Sequence, residues 1–243
     1  MRQLSGYIII CCLLLLKSFA LSSQSQSASS FNGIRETTER QYGPDLGLLN
    51  GRKYNFTYRS ARGNPFFEAP GADSAAIQIK GKLYENQRIR FDIYQQLLIL
   101  DFTDLSGGNS SIVLNDDVVD HFTLGKVHFR KFSDKNGLKR FGQVVYLDSI
   151  SCVYFWKKKY LSELKDEQKN YRFSGPLRDA VIISNGQVRA YKNKSSFLKC
   201  FGQEDRKKIK LFMREELIKP RKANELEMQR LMKYINHLSA HED

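Results

Sequence analysis

The sequence has few of the residues from which metal centres, disulfide frameworks and common catalytic motifs are built. Its 243 residues include 4 His and 4 Cys, and two of the cysteines, Cys11 and Cys12, fall in an apolar segment near the N-terminus. No HExxH, GxSxG, glycine-rich phosphate loop or CxxC pair occurs, so the signatures of zincins, α/β-hydrolases, P-loop proteins and thioredoxin-like proteins are missing. We therefore predict no catalytic residue and no cofactor.

The longest apolar run, Tyr7 to Leu16, follows Arg2 and precedes Ser18 and Ala20, which stand at the spacing that signal peptidase accepts. The run is too short to span a bilayer. We expect residues 1–20 to be a signal peptide cleaved near Ala20. Residues 21–50 are expected to form a polar linker or N-terminal extension. The predicted location is extracytoplasmic: periplasm, cell envelope or secreted.

Only Cys152 and Cys200 remain after the expected cleavage, and both stand among large apolar residues. This setting is typical of buried thiols. An extracytoplasmic location also permits a disulfide between them, because oxidising compartments preserve such bonds. Spacing alone does not decide between the two.

The positive charge is confined to the second half of the chain. Residues 1–120 hold 12 basic and 12 acidic residues, whereas residues 121–243 hold 27 and 14 and carry the whole formal charge of +13. Such asymmetry favours an anionic polymer or lipid of the envelope, or an envelope protein, as partner. Nucleic acid is not expected for a secreted protein, and a membrane would be contacted only peripherally. The candidate surface residues are Lys157, Lys158, Lys159, Arg206, Lys207 and Lys208, although their alternation with acids is also typical of a solvated face.

Residues 51–194 have the period of β-strands. Ile77 and Ile79 alternate with Gln78 and Lys80, and the same pattern recurs across short connections, which predicts antiparallel neighbours. Asn185-Gly186 between two apolar arms predicts a type I′ hairpin. We expect eight to ten strands, more than a flat sheet usually holds. The predicted fold class is α+β, a mainly antiparallel β meander in the form of a rolled sheet or a barrel-like sheet, with a C-terminal helical pair.

Residues 195–243 change to the helical period. A short helix capped by Ser195 or Ser196 is expected before two longer ones. Asn224 and Glu227 form a capping-box pattern that predicts the start of the last helix. The apolar stripes of the two longer helices include Met213, Met228 and Met232. We expect these stripes to dock on the sheet, although methionine-rich faces also hold partner subunits.

The segment 120–132, DHFTLGKVHFRKF, contains the residues that most resemble a chemical site. A two-residue turn at Gly125-Lys126 would place His121 and His128 as diagonal neighbours on the polar face of a hairpin. With Asp120 they could hold a metal ion or act as an acid/base pair. Arg130, opposite His121, disfavours both, so the pattern is more typical of an ordinary hairpin.

The chain resembles a family of uncharacterised secreted proteins of Bacteroidota. The resemblance is carried by IKGKLYENQRIRFDIYQQLLIL, IVLNDDVVDHFTLGKVHF, FGQVVYL, FLKCF and LMKYINHL. It covers about two thirds of the chain. Asp92 stands where the family has Asn, and YIN replaces its YYN. The resemblance implies a secreted protein with this strand order, and it transfers no catalytic residue.

These patterns favour an extracytoplasmic binding or accessory protein of the cell envelope over an enzyme. The alternative is a metal-dependent or hydrolytic enzyme that uses His121, His128 and a nearby Asp.

Overall fold

The structure is a computed structural model that describes residues 45–68, 75–104, 106–165 and 168–239. These residues contain thirteen β-strands. The expected signal peptide and most of the expected linker lie outside these residues. The strands are β1 Gly51–Lys53, β2 Ala75–Ile79, β3 Lys82–Asp92, β4 Leu97–Thr103, β5 Asn109–Leu114, β6 Val119–Leu124, β7 Val127–Ser133, β8 Lys139–Tyr146, β9 Ile150–Lys157, β10 Tyr160–Lys165, β11 Gln168–Phe173, β12 Leu177–Ser184 and β13 Gln187–Tyr191.

The chain divides into two compact units. One comprises residues 1–46 and 103–110. Its described part includes a tight loop in which Asp104 Oδ1 accepts hydrogen bonds from the backbone N–H groups of Ser106 at 3.0 Å and Gly108 at 2.9 Å. The other unit comprises residues 47–102 and 111–243, and the functional candidates belong to it.

Eleven strands form one sheet in the order β1-β5-β4-β3-β2-β6-β7-β8-β9-β12-β13, and β10 pairs with β11 in a separate hairpin. The registers described for the strand pairs are antiparallel. The predicted antiparallel α+β fold is therefore confirmed. The sheet is open, with β1 and β13 at its edges, so a rolled sheet agrees with it and a closed barrel does not. The strands also outnumber the eight to ten that the pattern predicted.

Two turns have the predicted geometry. Asn185 and Gly186 have φ of 49° and 73°, as a type I′ turn requires. Gly125 has φ of 56°, the positive value that a type II′ turn needs at its first central residue.

One face of the sheet carries the core. Because residues paired across strands share a face, the registers place a row of side chains on that face. The row is Tyr84, Ile77, Phe122, Phe129, Gln143, Tyr154, Ala180 and Tyr191. Residues of the strands and of the loops beside them, such as Leu48 and Ile93, form the cluster around Phe91, Phe122 and Phe129. The helices cover the other end of the row, around Tyr154 and Tyr191.

Three helices follow the strands, a short one and then a longer pair, as the sequence pattern predicted. They are α1 Lys194–Leu198, α2 Gln203–Glu215 and α3 Glu225–Ser239. Asn193, rather than Ser195 or Ser196, caps α1, and Ser196 completes the capping box from the third helical position. The predicted capping pair of α3 is confirmed: Asn224 N donates to Glu227 Oε2, and Glu227 N donates to Asn224 Oδ1, both at 2.9 Å.

The methionine stripe belongs to the core. Met213, Met228 and Met232 are at most 1 % exposed and pack in the same cluster as Tyr154 and Tyr191. Docking on the sheet is therefore confirmed, and the alternative that these methionines hold a partner subunit is wrong, since they are already covered. None of the described helices combines the length and hydrophobicity needed to span a bilayer.

Candidate anion-binding site

The histidine hairpin has the predicted register. His121 pairs with Arg130, Phe122 with Phe129, and Thr123 with His128. Phe122 and Phe129 are fully buried and stack at 4.8 Å between ring centroids. The apolar side of the hairpin is therefore core, as its pattern indicated.

The two imidazoles lie on the opposite side, where His128 is exposed and His121 is half-buried opposite the Arg130 cation. Asp120 is already engaged, because its Oδ2 accepts a hydrogen bond from Gly81 N at 2.8 Å. In the described ranges, no group of three or more His, Cys, Asp or Glu side chains is placed to hold a metal ion. The structure thus does not assemble His121, His128 and Asp120 into a metal site.

The three predicted surface lysines at 157–159 have three different environments. Lys157 Nζ forms an ion pair with Asp179 Oδ2 at 2.5 Å. Lys158 Nζ donates to Phe66 O at 2.8 Å and to Asn64 O at 2.9 Å, which ties the segment before β2 to the end of β9. Lys159 is exposed. Lys158 is therefore a structural residue, and its two neighbours remain candidates for binding.

The second predicted basic cluster, Arg206 to Lys208, also divides. Arg206 Nε donates to Leu198 O and Phe201 O, both at 3.1 Å, and so satisfies carbonyl groups at the end of α1. Lys207 and Lys208 lie exposed on α2. None of the three lines the groove that contains Lys157 and Lys159.

That groove has a volume of about 560 Å³, and we call it the basic groove. Its charged lining consists of six cations and one carboxylate, namely Lys135, Lys157, Lys159, Arg178, Lys192, Arg221 and Asp179. Its uncharged lining includes Leu177, Ala180 and Tyr191. The cations come from the β7–β8 turn, the end of β9, the start of β12, the residue after β13 and the α2–α3 connection, so the fold collects them from five places.

Arg178 is held rigidly in the groove. Its Nη2 donates to Arg221 O at 2.9 Å and to Ala223 O at 3.2 Å. Its guanidinium lies 4.2 Å from the ring centroid of Tyr154, within cation–π range. These contacts join β12 to the α2–α3 connection and fix one positive charge at the groove.

Four other cations of the groove are uncompensated. The side chains of Lys135, Lys159, Lys192 and Arg221 are exposed and, within the described residues, form no ion pair. Like charges gathered in a concave surface repel one another and raise the local concentration of anions. The groove is therefore suited to an anionic ligand.

Uncharged side chains are buried next to the groove. The hydroxyl oxygen of Tyr191, which lines the groove, is 3.7 Å from Sγ of Cys152, which does not. Burial raises the pKa of Cys152 to about 12, and burial also raises the pKa of Tyr154, Tyr191 and Cys200. Both cysteines are buried and free, so the alternative of buried thiols describes this structure. Protonated thiols are poor nucleophiles, which leaves the cations as the chemical feature of this region.

Sequence patterns did not identify Lys135, Arg178, Lys192 or Arg221 as site residues. Successive members of this set are 43, 14 and 29 positions apart in the sequence, and only the fold brings them together. The concentration of charge in residues 121–243 was the one signal that pointed to such a site.

Compared with models of protein families, with curated proteins and with solved structures, the chain gives no match. The protein is an open antiparallel sheet that carries a basic groove at the end covered by helices. The function is therefore inferred from the side chains of that groove.

Proposed function

We propose that this protein is an extracytoplasmic binding or accessory protein of the cell envelope that holds an anionic envelope component in its basic groove. Membership of the secreted Bacteroidota family and the cleaved signal peptide are parts of this proposal. The observation that supports it is the lining of the groove, six cations against one carboxylate.

The ligand is expected to carry phosphate, sulfate or carboxylate groups at several positions. Arg178 presents a fixed positive charge that attracts such oxyanions, although its Nη2 is already bonded to the carbonyl groups of Arg221 and Ala223. Lys135, Lys159 and Lys192 add mobile charges around it. A ligand with a single charge would leave most of these cations unpaired, so a polyanion or a charged surface is the better match.

Among the described residues, the contacts of His121 and Asp120 do not favour the alternative of a metal-dependent or hydrolytic enzyme. His121 faces Arg130, and Asp120 is bound to Gly81. Such chemistry requires at least a general base near a carboxylate and an open substrate position. His128 lies near enough to the Glu225 carboxylate to interact with it electrostatically, but Glu225 is not part of the His121, His128 and Asp120 set.

The proposal is tested by titrating the protein with fluorescent dextran sulfate, a soluble sulfated polymer. The combined substitution Lys159→Gln, Lys192→Gln and Arg221→Gln should weaken binding at least about tenfold, because three attractive contacts are lost. Wild-type binding should also weaken as salt rises, since exposed charges are screened over about 8 Å at physiological ionic strength.

The matched control carries Lys53→Gln, Lys126→Gln and Lys233→Gln. These lysines are exposed and lie outside the groove lining, so the control has the same net charge as the test variant. It should bind nearly as tightly as wild type. Equal weakening of both variants would show that only net charge matters and would refute a site in the groove.

A further inference from the structure

Leu217 is an exposed leucine in a backbone conformation that leucine rarely adopts. Its residue is 83 % exposed and its φ is +55°. It ends α2: Glu216 N donates to Phe212 O and Ile218 N donates to Met213 O, both at 2.9 Å. Leu217 therefore occupies the left-handed position that follows a helix, where glycine is the usual residue.

Leucine is unfavourable here for two independent reasons. A left-handed backbone brings its Cβ close to the carbonyl oxygen. The exposed side chain also leaves apolar surface in water. Glycine or asparagine would end the helix with less strain, so the folded chain by itself gives no reason for leucine at this position.

Leu217 shares a pocket with several cations. Leu217 lines a pocket of about 650 Å³ together with Met213, Ile218 and Pro220. The other lining residues are Asn193, Lys194, Arg214, Lys219, Arg221 and Lys222, with no acid among them. One exposed leucine and five cations therefore line the same pocket.

The pocket continues into the basic groove, because Pro220 and Arg221 line both. The groove adds Leu177, which is 40 % exposed. The two linings together contain ten Lys and Arg residues and one carboxylate, Asp179. We call this continuous region the basic face.

We propose that the basic face docks peripherally on an anionic lipid bilayer, with Leu217 inserted among the lipid headgroups and acyl chains. This inference rests on the proposed function and names its ligand class. A soluble polyanion would be attracted by the cations but would gain nothing from an exposed leucine. A bilayer with anionic headgroups matches both features, since basic residues bind its surface charge and an apolar side chain gains by leaving water.

The experiment measures co-sedimentation of the full chain with phosphatidylcholine vesicles that contain or lack phosphatidylglycerol. Wild type should bind only the anionic vesicles. Leu217→Asn, which keeps a residue that tolerates the left-handed conformation, should bind them about tenfold more weakly. It should bind dextran sulfate as wild type does and should unfold at no lower temperature.

Two further variants sharpen the result. Leu138→Asn is the matched control, because Leu138 is 63 % exposed in the β7–β8 turn and lies outside both linings; it should bind vesicles as wild type does. Leu217→Trp should bind more tightly. Its tryptophan emission should shift to shorter wavelength on anionic vesicles, whereas wild type, with Trp156 as its one tryptophan, should show no shift.

The outcomes separate this inference from the proposed function. Salt-sensitive binding of dextran sulfate without binding of anionic vesicles would overturn the bilayer and leave the basic groove intact. Vesicle binding that Leu217→Asn does not weaken would overturn the insertion of Leu217. Failure to bind either ligand would overturn both proposals.

Discussion

The polar groups beneath helix α3 and those of the basic groove differ in how far the fold satisfies them. Asn236 makes hydrogen bonds to Ser149, Ile150 and Met232. In the groove, Lys159, Lys192 and Arg221 form no ion pair with any described residue. Buried polar groups must be paired for the chain to fold, whereas exposed unpaired cations add repulsion. The comparison teaches that the first region maintains the structure and that the second is available to a ligand.

Among the polar residues compared, the largest loss of stability is expected for Asn236→Ala. Asn236 Oδ1 accepts from Ser149 Oγ and Ile150 N at 2.9 Å, and its Nδ2 donates to Ile150 O at 2.8 Å. The substitution leaves the Ile150 backbone groups without this partner and opens a cavity, so the free energy of unfolding should fall by about 3 kcal/mol. Urea unfolding measures this change in the free energy of unfolding. Ser149→Ala, which removes one bond, should lose about 1 kcal/mol, and an equal loss in both variants would contradict the central role of Asn236.

Two neighbouring lysines test the same comparison within one dipeptide. Lys158→Met removes the charged hydrogen bonds to Asn64 and Phe66 and should lower the free energy of unfolding by about 2 kcal/mol. Lys159→Met removes an exposed, unpaired charge and should change it by less than about 0.5 kcal/mol. Chemical denaturation of the two variants measures both changes in the free energy of unfolding. Similar losses of stability would contradict the assignment of Lys158 as structural and Lys159 as a binding residue.

Local sequence patterns account for the hairpins but not for the groove. The Gly125 and Asn185-Gly186 turns follow from backbone preferences of a few residues, so the registers they impose could be predicted. Lys157, Lys158 and Lys159 look alike in the sequence, and nothing local shows that Lys158 turns inward to Asn64. Arg178 and Arg221 lie 43 positions apart and meet through a hydrogen bond. That contact depends on packing α2 and α3 against β12, which periodicity does not specify.

The start of α1 shows how a reasonable local pattern can be wrong. Ser195 and Ser196 are good capping residues, yet Asn193 takes that position because its Oδ1 reaches Ser196 N at 2.9 Å. The hydroxyl oxygen of Ser196 in turn accepts a hydrogen bond from Asn193 N. Asn193, Ser195 and Ser196 could each cap the helix, and the reciprocal hydrogen bonds between Asn193 and Ser196 make Asn193 the cap.

Asp92 is an exception to the rule that the fold pairs its buried polar groups, because only one of its two carboxylate oxygens has a hydrogen-bond partner in the described chain. Its Oδ1 accepts from Tyr94 N at 2.9 Å and Gln95 N at 2.8 Å, but Oδ2 has no hydrogen-bond partner in the described chain. Burial raises the pKa of Asp92 above its ordinary value of 3.8, although these backbone bonds and the Lys158 charge oppose the rise. The folded state therefore binds the proton more tightly than the unfolded chain does.

Because the pKa of Asp92 is raised in the folded state, the sign of its effect on stability at different pH values follows. The Asp92 contribution to stability should rise as the pH falls from the folded-state pKa towards 3.8. Asp92→Asn, which keeps an acceptor for Tyr94 and Gln95 and cannot ionise, should stabilise the protein near neutral pH, by less than the Lys158→Met loss. The gain should disappear in acid. Urea unfolding across the pH range would contradict this account if Asn were destabilising at neutral pH.

Leu217→Gly should raise the free energy of unfolding by about 1 kcal/mol, because glycine adopts the left-handed conformation without strain. This sign is unusual for the removal of a large apolar side chain. It arises because Leu217 is 83 % exposed and therefore contributes little packing. Thermal unfolding measures the change, with Ile218→Gly as the contrast: Ile218 is 3 % exposed and its truncation should be strongly destabilising. A loss of stability in Leu217→Gly would assign leucine a structural role.

The smallest effect is expected for the combined substitution His121→Ala and His128→Ala. His128 is exposed and His121 is half-buried on the polar side of the hairpin, whose opposite side supplies Phe122 and Phe129 to the core. Since neither imidazole contributes to that core, the free energy of unfolding should change by less than about 0.5 kcal/mol. Zinc content and dextran sulfate binding should equal those of wild type. Unchanged stability with the loss of a bound metal or of a detectable hydrolytic activity would instead place the chemistry at this hairpin, and the protein would then be an enzyme rather than a binding protein.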